Sequence, residues 1–230
     1  MPKNIIITGA NGNLGTAVVK KFLDEQYKVI AVARSGNHLG FAQGNSLFEL
    51  HDVNLENESE ADLFASEAIS LNGKIDGALL LAGGFTMGGI NDTDGALLKK
   101  MYSLNFETAY FITRPLFRHM LQNGYGRLVF VGARPALEAA DGKSKIAYAL
   151  SKSLLFKLAD MLNKEAKGKN VVTSVVVPST IDTLPNRQSM PDANTDTWVK
   201  PEQIADVLEF ICSDKGMPVR EPVYKLYNNA

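Results

Sequence analysis

The chain has 230 residues, a net charge of −1 at pH 7 and an isoelectric point of about 6.3. This charge balance gives no electrostatic reason to expect nucleic acid or an anionic membrane surface as a partner. The single cysteine, Cys212, excludes an internal disulfide and is typical of a reducing compartment. No apolar run approaches the ~18 residues of a membrane span, and the run at residues 5–7 is too short for a signal peptide. We therefore expect a cytoplasmic globular protein without a membrane or nucleic-acid partner.

Strand-like and helix-like segments alternate along the chain. This alternation is typical of βαβ units and predicts an α/β fold, a Rossmann-type doubly wound parallel sheet flanked by helices. We expect one domain over residues 1–230, an interruption at Pro115 and a long substrate loop at about 178–198. Strands are predicted at residues 3–8, 28–33, 47–51, 76–82, 128–131, 171–177 and 223–227. Helices are predicted at residues 13–25, 58–71, 96–123, 145–166 and 201–212.

A glycine-rich turn, TGANGNLG, joins the first predicted strand to the first predicted helix. Gly9 permits a tight turn, Gly12 lets a pyrophosphate approach the backbone, and Gly15 lets the helix pack closely on the strand. The free amides at the helix N-terminus favour a bound phosphate. An ordinary glycine-rich turn is the alternative. The context predicts a dinucleotide site that also includes Asn11, Asn13 and Leu14.

The second predicted strand ends in VIAVARS and carries information on the cofactor. Ala33 stands where an acidic residue would bind the adenosine ribose of NAD, and Arg34 follows it. An arginine there pairs with the 2′-phosphate of NADP, so NADP(H) is favoured and NAD(H) stays possible; a solvated arginine is the alternative. Asp52, after the third strand, is either a contact to the adenine edge or a loop residue. No metal site is predicted.

Tyr148 and Lys152, in the segment YALSK, lie four residues apart on one face of a predicted helix. A nearby ammonium, or an oxidised nicotinamide, would favour the phenolate and lower the pKa of a tyrosine from its usual ~10. Tyr148 would then serve as a general acid in reduction or a base in oxidation. A surface Tyr and Lys on a helix would be the interpretation if no nucleotide motif preceded them.

Together these motifs resemble those of the short-chain dehydrogenase/reductase family over nearly the whole chain. TGANGNLG resembles the family's cofactor turn, and YALSK its Tyr-x-x-x-Lys motif. SLNF, residues 103–106, matches the segment that carries the catalytic asparagine, which falls on Asn105. The resemblance implies that Tyr148 donates the proton, that Lys152 lowers the pKa of Tyr148 and holds the ribose, and that Asn105 supports a water-mediated relay to Lys152.

Two further segments resemble cofactor contacts of the family. LLLAGG, residues 79–84, resembles the Asn-Asn-Ala-Gly strand end, with Leu80 and Leu81 replacing the two asparagines. PSTIDT, residues 178–183, resembles a Pro-Gly-x-x-x-Thr loop, with Ser179 replacing the glycine. The cofactor contacts that the resemblance implies are Ala82, Gly83, Gly84, Pro178, Thr180 and Thr183, besides Lys152.

The serine that polarises the substrate carbonyl in this family is missing. Gly132 and Ala133 stand at the strand end where it is expected, and the usual spacing before Tyr148 falls on Pro135. Losing such a donor typically costs about 2.7–4 kcal/mol of transition-state stabilisation. The segments LAGGF, GARPALEAADGKSKIAY and DTLPNRQSMPDANTDTW resemble the dihydropteridine reductase-like branch, whose quinonoid dihydropterin substrate is already electron-poor.

The motifs and the missing serine are compatible with three functions. The first is an NAD(P)H-dependent reductase of an activated C=N or C=O substrate, with Phe85, Ala133 and Met190 at the substrate; core packing is the alternative for Phe85 and Met190. The second is a general carbonyl or 3-oxoacyl reductase, and the third a catalytically weak NADP-binding regulatory protein. The resemblance also implies a homodimer or homotetramer built on helices 96–123 and 145–166.

Overall fold

The computed structural model describes residues 2–34 and 38–229. Its centre is a seven-stranded parallel sheet with the strand order β3-β2-β1-β4-β5-β6-β7, and β3 and β7 lie at its edges. The order reverses beside β1 and β4, as in a doubly wound sheet, so the predicted fold class is confirmed. The strands are β1 (Asn4–Thr8), β2 (Lys28–Val32), β3 (Phe48–His51), β4 (Gly77–Leu80), β5 (Tyr125–Val131), β6 (Asn170–Pro178) and β7 (Val223–Leu226).

Helices cover both faces of the sheet, because each strand carries apolar residues on both sides. On one face α1 and α8 pack over Ile5, Ile7 and Val29; on the other α2, α4 and α6 pack over Ile6 and Ile30. The helices are α1 (Asn13–Asp24), α2 (Glu58–Asn72), α3 (Gly95–Tyr102), α4 (Thr108–Asn123), α5 (Ala139–Gly142), α6 (Ile146–Glu165), α7 (Leu184–Ser189) and α8 (Pro201–Cys212).

The long helix predicted at 96–123 is divided, but not at Pro115. A π-helical turn, Ser103–Glu107, separates α3 from α4, and Pro115 lies inside α4. The prediction placed the interruption at Pro115 because proline lacks an amide hydrogen. The turn instead occurs where Asn105 is drawn into the core by contacts with other elements. Such single π turns are frequent at functional sites.

The segment predicted as a loop at 178–197 has structure of its own. An isolated bridge between Ile181 and Val199 closes its base, and Trp198 is buried there. Between them lie α7 and a 3₁₀ turn, Thr195–Thr197. Within residues 2–34 and 38–229, no helix is long and apolar enough to span a membrane.

Candidate active site

The glycine turn between β1 and α1 has the geometry that a dinucleotide requires. Gly9 has φ +63°, and a Cβ there would lie 2.9 Å from the backbone nitrogen of Ala82 on the neighbouring strand's end. A Cβ on Gly15 would lie 2.1 Å from the carbonyl oxygen of Gly9, so only glycine allows α1 to pack this closely. Gly12 caps α1 without a side chain, and the first turn carries no acidic residue. These features leave the helix N-terminus suited to a pyrophosphate.

A groove of about 290 Å³ runs from this turn along the carboxyl ends of β1, β2 and β4. It brings together six of the predicted cofactor contacts: Gly9, Asn11, Gly12, Arg34, Ala82 and Gly83. Asp52 is exposed after β3, and Val53, Leu55 and Glu56 form that wall of the groove. Asn13, Leu14 and Gly15 belong to the first turn of α1 and are not among the residues that line this groove.

Arg34 lies at the end of this groove and is held by two partners. Its Nη2 donates to Oδ1 of Asn54 and to Oε1 of Glu56, both at 2.7 Å. The sequence alone did not reveal these partners. The signal that could have found them is their position after β3, since the ends of adjacent parallel strands meet at one edge of the sheet.

Asn105 is fully buried in the π turn and connects three parts of the site. Its Oδ1 accepts a hydrogen bond from the Gly84 amide at 2.9 Å, and its Nδ2 donates to Oγ of Ser151 at 3.1 Å. A Cβ on Gly83 would lie 2.6 Å from Oδ1 of Asn105 and 3.2 Å from Nζ of Lys152. Ser151, which is not among the predicted site residues, thus supports Asn105 from α6.

Lys152 is almost completely buried on α6. Its Nζ donates to the carbonyl oxygen of Val131, the last residue of β5, at 2.9 Å. Burial lowers the pKa of Lys152 to about 8, because the ammonium has lost most of its solvation. The ammonium is therefore held beside Gly83 and Asn105 at the end of the sheet.

Tyr148 lies one helical turn before Lys152, and its ring meets that of Phe85 edge-on, with ring centroids 5.0 Å apart at 76°. Burial raises the pKa of Tyr148 to about 12. The predicted lowering of this pKa by Lys152 is wrong, because burial shifts the pKa in the opposite direction. A tyrosine with a raised pKa keeps its proton at neutral pH, as a proton donor must.

The position of the missing serine holds small, tightly packed residues. A Cβ on Gly132 would lie 2.8 Å from the side chains of Phe156 and Val175, so any side chain there would have to displace one of them. Ala133 follows, nearly buried, and begins a 3₁₀ turn, Arg134–Ala136. Arg134 is turned to an ion pair with Asp141 at 2.5 Å. None of these residues supplies a hydroxyl donor.

The remaining predicted residues lie after β6. Pro178 is buried at the end of the strand, while Thr180 donates no side-chain bond in the described contacts, and its carbonyl accepts from the Val199 amide. Thr183 caps α7, where its Oγ1 accepts from the Asn186 amide at 3.4 Å. Phe85 and Met190 are 59% and 39% exposed, so core packing does not explain them.

Comparisons with known proteins agree with this geometry. The short chain dehydrogenase family model matches residues 3–194. The dihydropteridine reductase of Dictyostelium discoideum is 31% identical over 212 residues, which cover 90% of this chain and 87% of that protein. The acetoacetyl-CoA reductase of Acinetobacter sp. (strain RA3849) is 28% identical over 193 residues, which cover 76% of this chain and 73% of that one.

Among solved structures, ElxO with NADP bound superposes with a TM-score of 0.89 over 98% of this chain and 97% of its own. At 19% identity, this likeness shows the fold alone. The family match covers most of the chain, and the resemblance of the motifs is thereby confirmed. The chain belongs to the short-chain dehydrogenase/reductase family and is an NAD(P)-dependent oxidoreductase.

Proposed function

We propose that the protein is an NAD(P)H-dependent reductase of the dihydropteridine reductase-like branch, acting on a quinonoid dihydropterin or a similarly activated C=N or C=O group. The observation that carries this proposal is that Tyr148, a protonated donor, lies beside Phe85, while the strand end where the family's serine is expected carries Gly132 and Ala133, which have no hydroxyl. A substrate that is already electron-poor needs no such donor. The 31% identical relative named dihydropteridine reductase supports the same choice.

When bound, the reduced nicotinamide supplies the hydride. The residues that would hold it are the glycine turn at the pyrophosphate, Arg34 and Asp52 at the adenosine, and Asn105 and Lys152 at the nicotinamide ribose. The other contacts in this proposal are Ala82, Gly83, Gly84, Pro178, Thr180 and Thr183. NADP(H) is favoured because Arg34 lines the groove and carries a positive charge, and NAD(H) stays possible.

The chain's own residues manage the proton. Tyr148 transfers its phenolic proton to the substrate atom that gains negative charge, and the buried ammonium of Lys152 stabilises the phenolate that forms. Asn105 connects the segment after β4 to α6, because its side chain bonds to the Gly84 amide and to the Ser151 hydroxyl. Phe85, Ala133 and Met190 would contact the substrate, and residues 178–198 would cover it.

The test is NADPH oxidation with quinonoid dihydropterin. We expect turnover in the wild type and a fall in kcat of about 100-fold or more in Tyr148→Phe, since general acid catalysis typically contributes 10²–10⁴-fold. Tyr224→Phe, which also removes one half-buried tyrosine hydroxyl, is the matched control and should retain activity. Cofactor binding without turnover of this substrate would refute the substrate assignment.

A general carbonyl or 3-oxoacyl reductase is the second candidate. The acetoacetyl-CoA reductase among the relatives favours it, and the missing hydroxyl at Ala133 argues against it. A panel of ketones and aldehydes with NADPH decides between the two. Broad ketone turnover exceeding that of the dihydropterin would reverse their order.

We also propose one domain over residues 1–230 that works in the cytoplasm as a homodimer or homotetramer. A shallow apolar groove of about 370 Å³ between α3 and α6 supports self-association. Exposed apolar side chains line it and continue along both helices. Leu98, Tyr102, Leu150 and Leu154 are among them. Sedimentation velocity tests this, and a monomer at micromolar concentration would refute it.

A further inference from the structure

The guanidinium of Arg34 is already engaged at the adenosine end of the groove. Nη2 carries two hydrogens, and it donates to two acceptors, Oδ1 of Asn54 and Oε1 of Glu56. The pair with Glu56 is an ion pair at 2.7 Å, with side chains 66% and 34% exposed. A ligand phosphate that approaches Arg34 therefore meets a guanidinium whose charge is partly balanced.

Glu56 is part of the same groove as Arg34, and not a distant surface partner. Both residues line the cavity, together with Val53 and Leu55 from the segment after β3. A monoester phosphate carries about −1.5 to −2 charges at pH 7. A carboxylate on the wall of this groove repels such a group, while it accepts hydrogen bonds from the hydroxyls of an unphosphorylated ribose.

The backbone that carries Glu56 is held by local hydrogen bonds. The Glu56 amide donates to Oδ1 of Asn54 at 3.3 Å, and the Asn54 amide donates to Oε2 of Glu60 at 3.1 Å. Asn57 then caps α2, with its side chain accepting from the amides of Ser59 and Glu60. Because the turn before α2 is held by these bonds, the backbone of Glu56 keeps its place at the groove, and the carboxylate is held there by its bond to Arg34.

We infer that Glu56 is a specificity-determining residue that opposes the 2′-phosphate of NADP(H) and narrows the preference for NADP(H) over NAD(H). The inference rests on the proposed cofactor site. In it, Arg34 attracts the 2′-phosphate and Glu56 offsets that attraction, so the chain uses both NADP(H) and NAD(H). Arg34 taken alone overstates the selectivity for NADP(H).

Titration calorimetry of NADP⁺ and NAD⁺ on the full-length protein tests the inference without any substrate. We expect Glu56→Gln to tighten NADP⁺ binding by about fivefold, the size of an exposed charge interaction, and NAD⁺ binding to change by less than about twofold. Glu67→Gln makes the same charge change on the exposed face of α2, outside the groove, and should move neither Kd. The gain should shrink in 0.5 M salt, since screening weakens exposed charge pairs.

The outcomes separate this inference from the proposal beneath it. A wild type that binds both cofactors, with an NADP⁺ to NAD⁺ ratio that Glu56→Gln leaves unchanged, overturns the role of Glu56 alone. The same tightening in Glu67→Gln would also overturn it, because net charge would then explain the result. Binding of neither cofactor to the wild type overturns the cofactor site and this inference together. Arg34→Ala should weaken NADP⁺ binding and reduce the gain from Glu56→Gln.

Discussion

Two cations are buried at opposite ends of the interior strand β5, and they differ in how many hydrogen bonds they make. Arg127 lies towards its amino end and donates four hydrogen bonds, to the carbonyl oxygens of Gly126, Asn170 and Met217 and to the Asn170 side chain. Lys152 reaches the carboxyl end, where Val131 is its hydrogen-bond acceptor. Burial lowers the pKa of both groups.

The difference lies in how far the hydrogen-bonding capacity of each cation is used. A guanidinium has five donors, and Arg127 directs four bonds at neutral oxygens that join β5, β6 and the segment before β7. An ammonium has three donors, and within the described residues Lys152 makes one bond. A satisfied buried charge holds the fold together. A buried charge with unused donors lowers the stability of the fold. It marks a place where a ligand is expected.

The largest effect on stability should follow from removing Arg127. Arg127→Met removes four hydrogen bonds from the interior and leaves the Met217 carbonyl with Arg220 as its remaining side-chain donor, so we expect the free energy of unfolding to fall by about 3–5 kcal/mol. Urea unfolding measures this, and the activity per folded molecule should stay unchanged. Arg220→Met, an exposed arginine that also bonds to the Met217 carbonyl, is the control and should cost less than about 1 kcal/mol. An equal loss of stability in Arg127→Met and Arg220→Met would show that the buried arginine contributes no more to the fold than an exposed one, and the contrast with Lys152 would fail.

Removing Lys152 should have the opposite effects: activity should fall while stability holds or rises. Lys152→Met keeps the length of the side chain and removes the poorly solvated charge, so stability at pH 7 should hold or rise by up to about 2 kcal/mol, after the loss of the bond to Val131. Activity with quinonoid dihydropterin should fall by about 100-fold or more, since we propose that the Lys152 charge stabilises the phenolate of Tyr148. Combined urea unfolding and steady-state kinetics check both. A variant as destabilised as Arg127→Met would show that Lys152 also has a mainly structural role.

Much of the fold could be predicted because its signals are local. The alternation of apolar runs and helical stripes gave the strands of the sheet within a few residues, and α8 at its observed bounds. The roles of Gly9 and Gly15 could also be predicted from the sequence, since Gly9 is needed for a positive φ and Gly15 for a close contact with the backbone. Tyr148 and Lys152 were identified by their spacing and by the motif that precedes them.

The parts that sequence reasoning missed depend on contacts between distant segments. The π turn forms because Asn105 bonds to Gly84 and Ser151, which lie 21 and 46 residues away along the chain. The partners of Arg34, Asn54 and Glu56, are 20 and 22 residues away, after the neighbouring strand. The pKa of Tyr148 was predicted to fall because a lysine was near in sequence, whereas burial is what raises it. Each of these features depends on packing between segments that are far apart in the sequence, so a short stretch of sequence does not reveal it.

The smallest expected effect is a pH dependence that isolates the charge on Lys152. The pKa of Lys152 is about 8 in the folded chain and 10.5 in the unfolded one, so between these values the unfolded chain binds the extra proton and stability rises with pH. The stability advantage of Lys152→Met over the wild type should therefore be greatest below pH 8 and decline above it, by at most ~1.4 kcal/mol per pH unit. Urea unfolding of both proteins at pH 7, 8, 9 and 9.5 measures the difference, in which all other titrating groups cancel. A difference that stays constant across this range would mean that Lys152 is well solvated or fully bonded in the folded protein, as Arg127 is, and would remove the contrast between the two ends of β5.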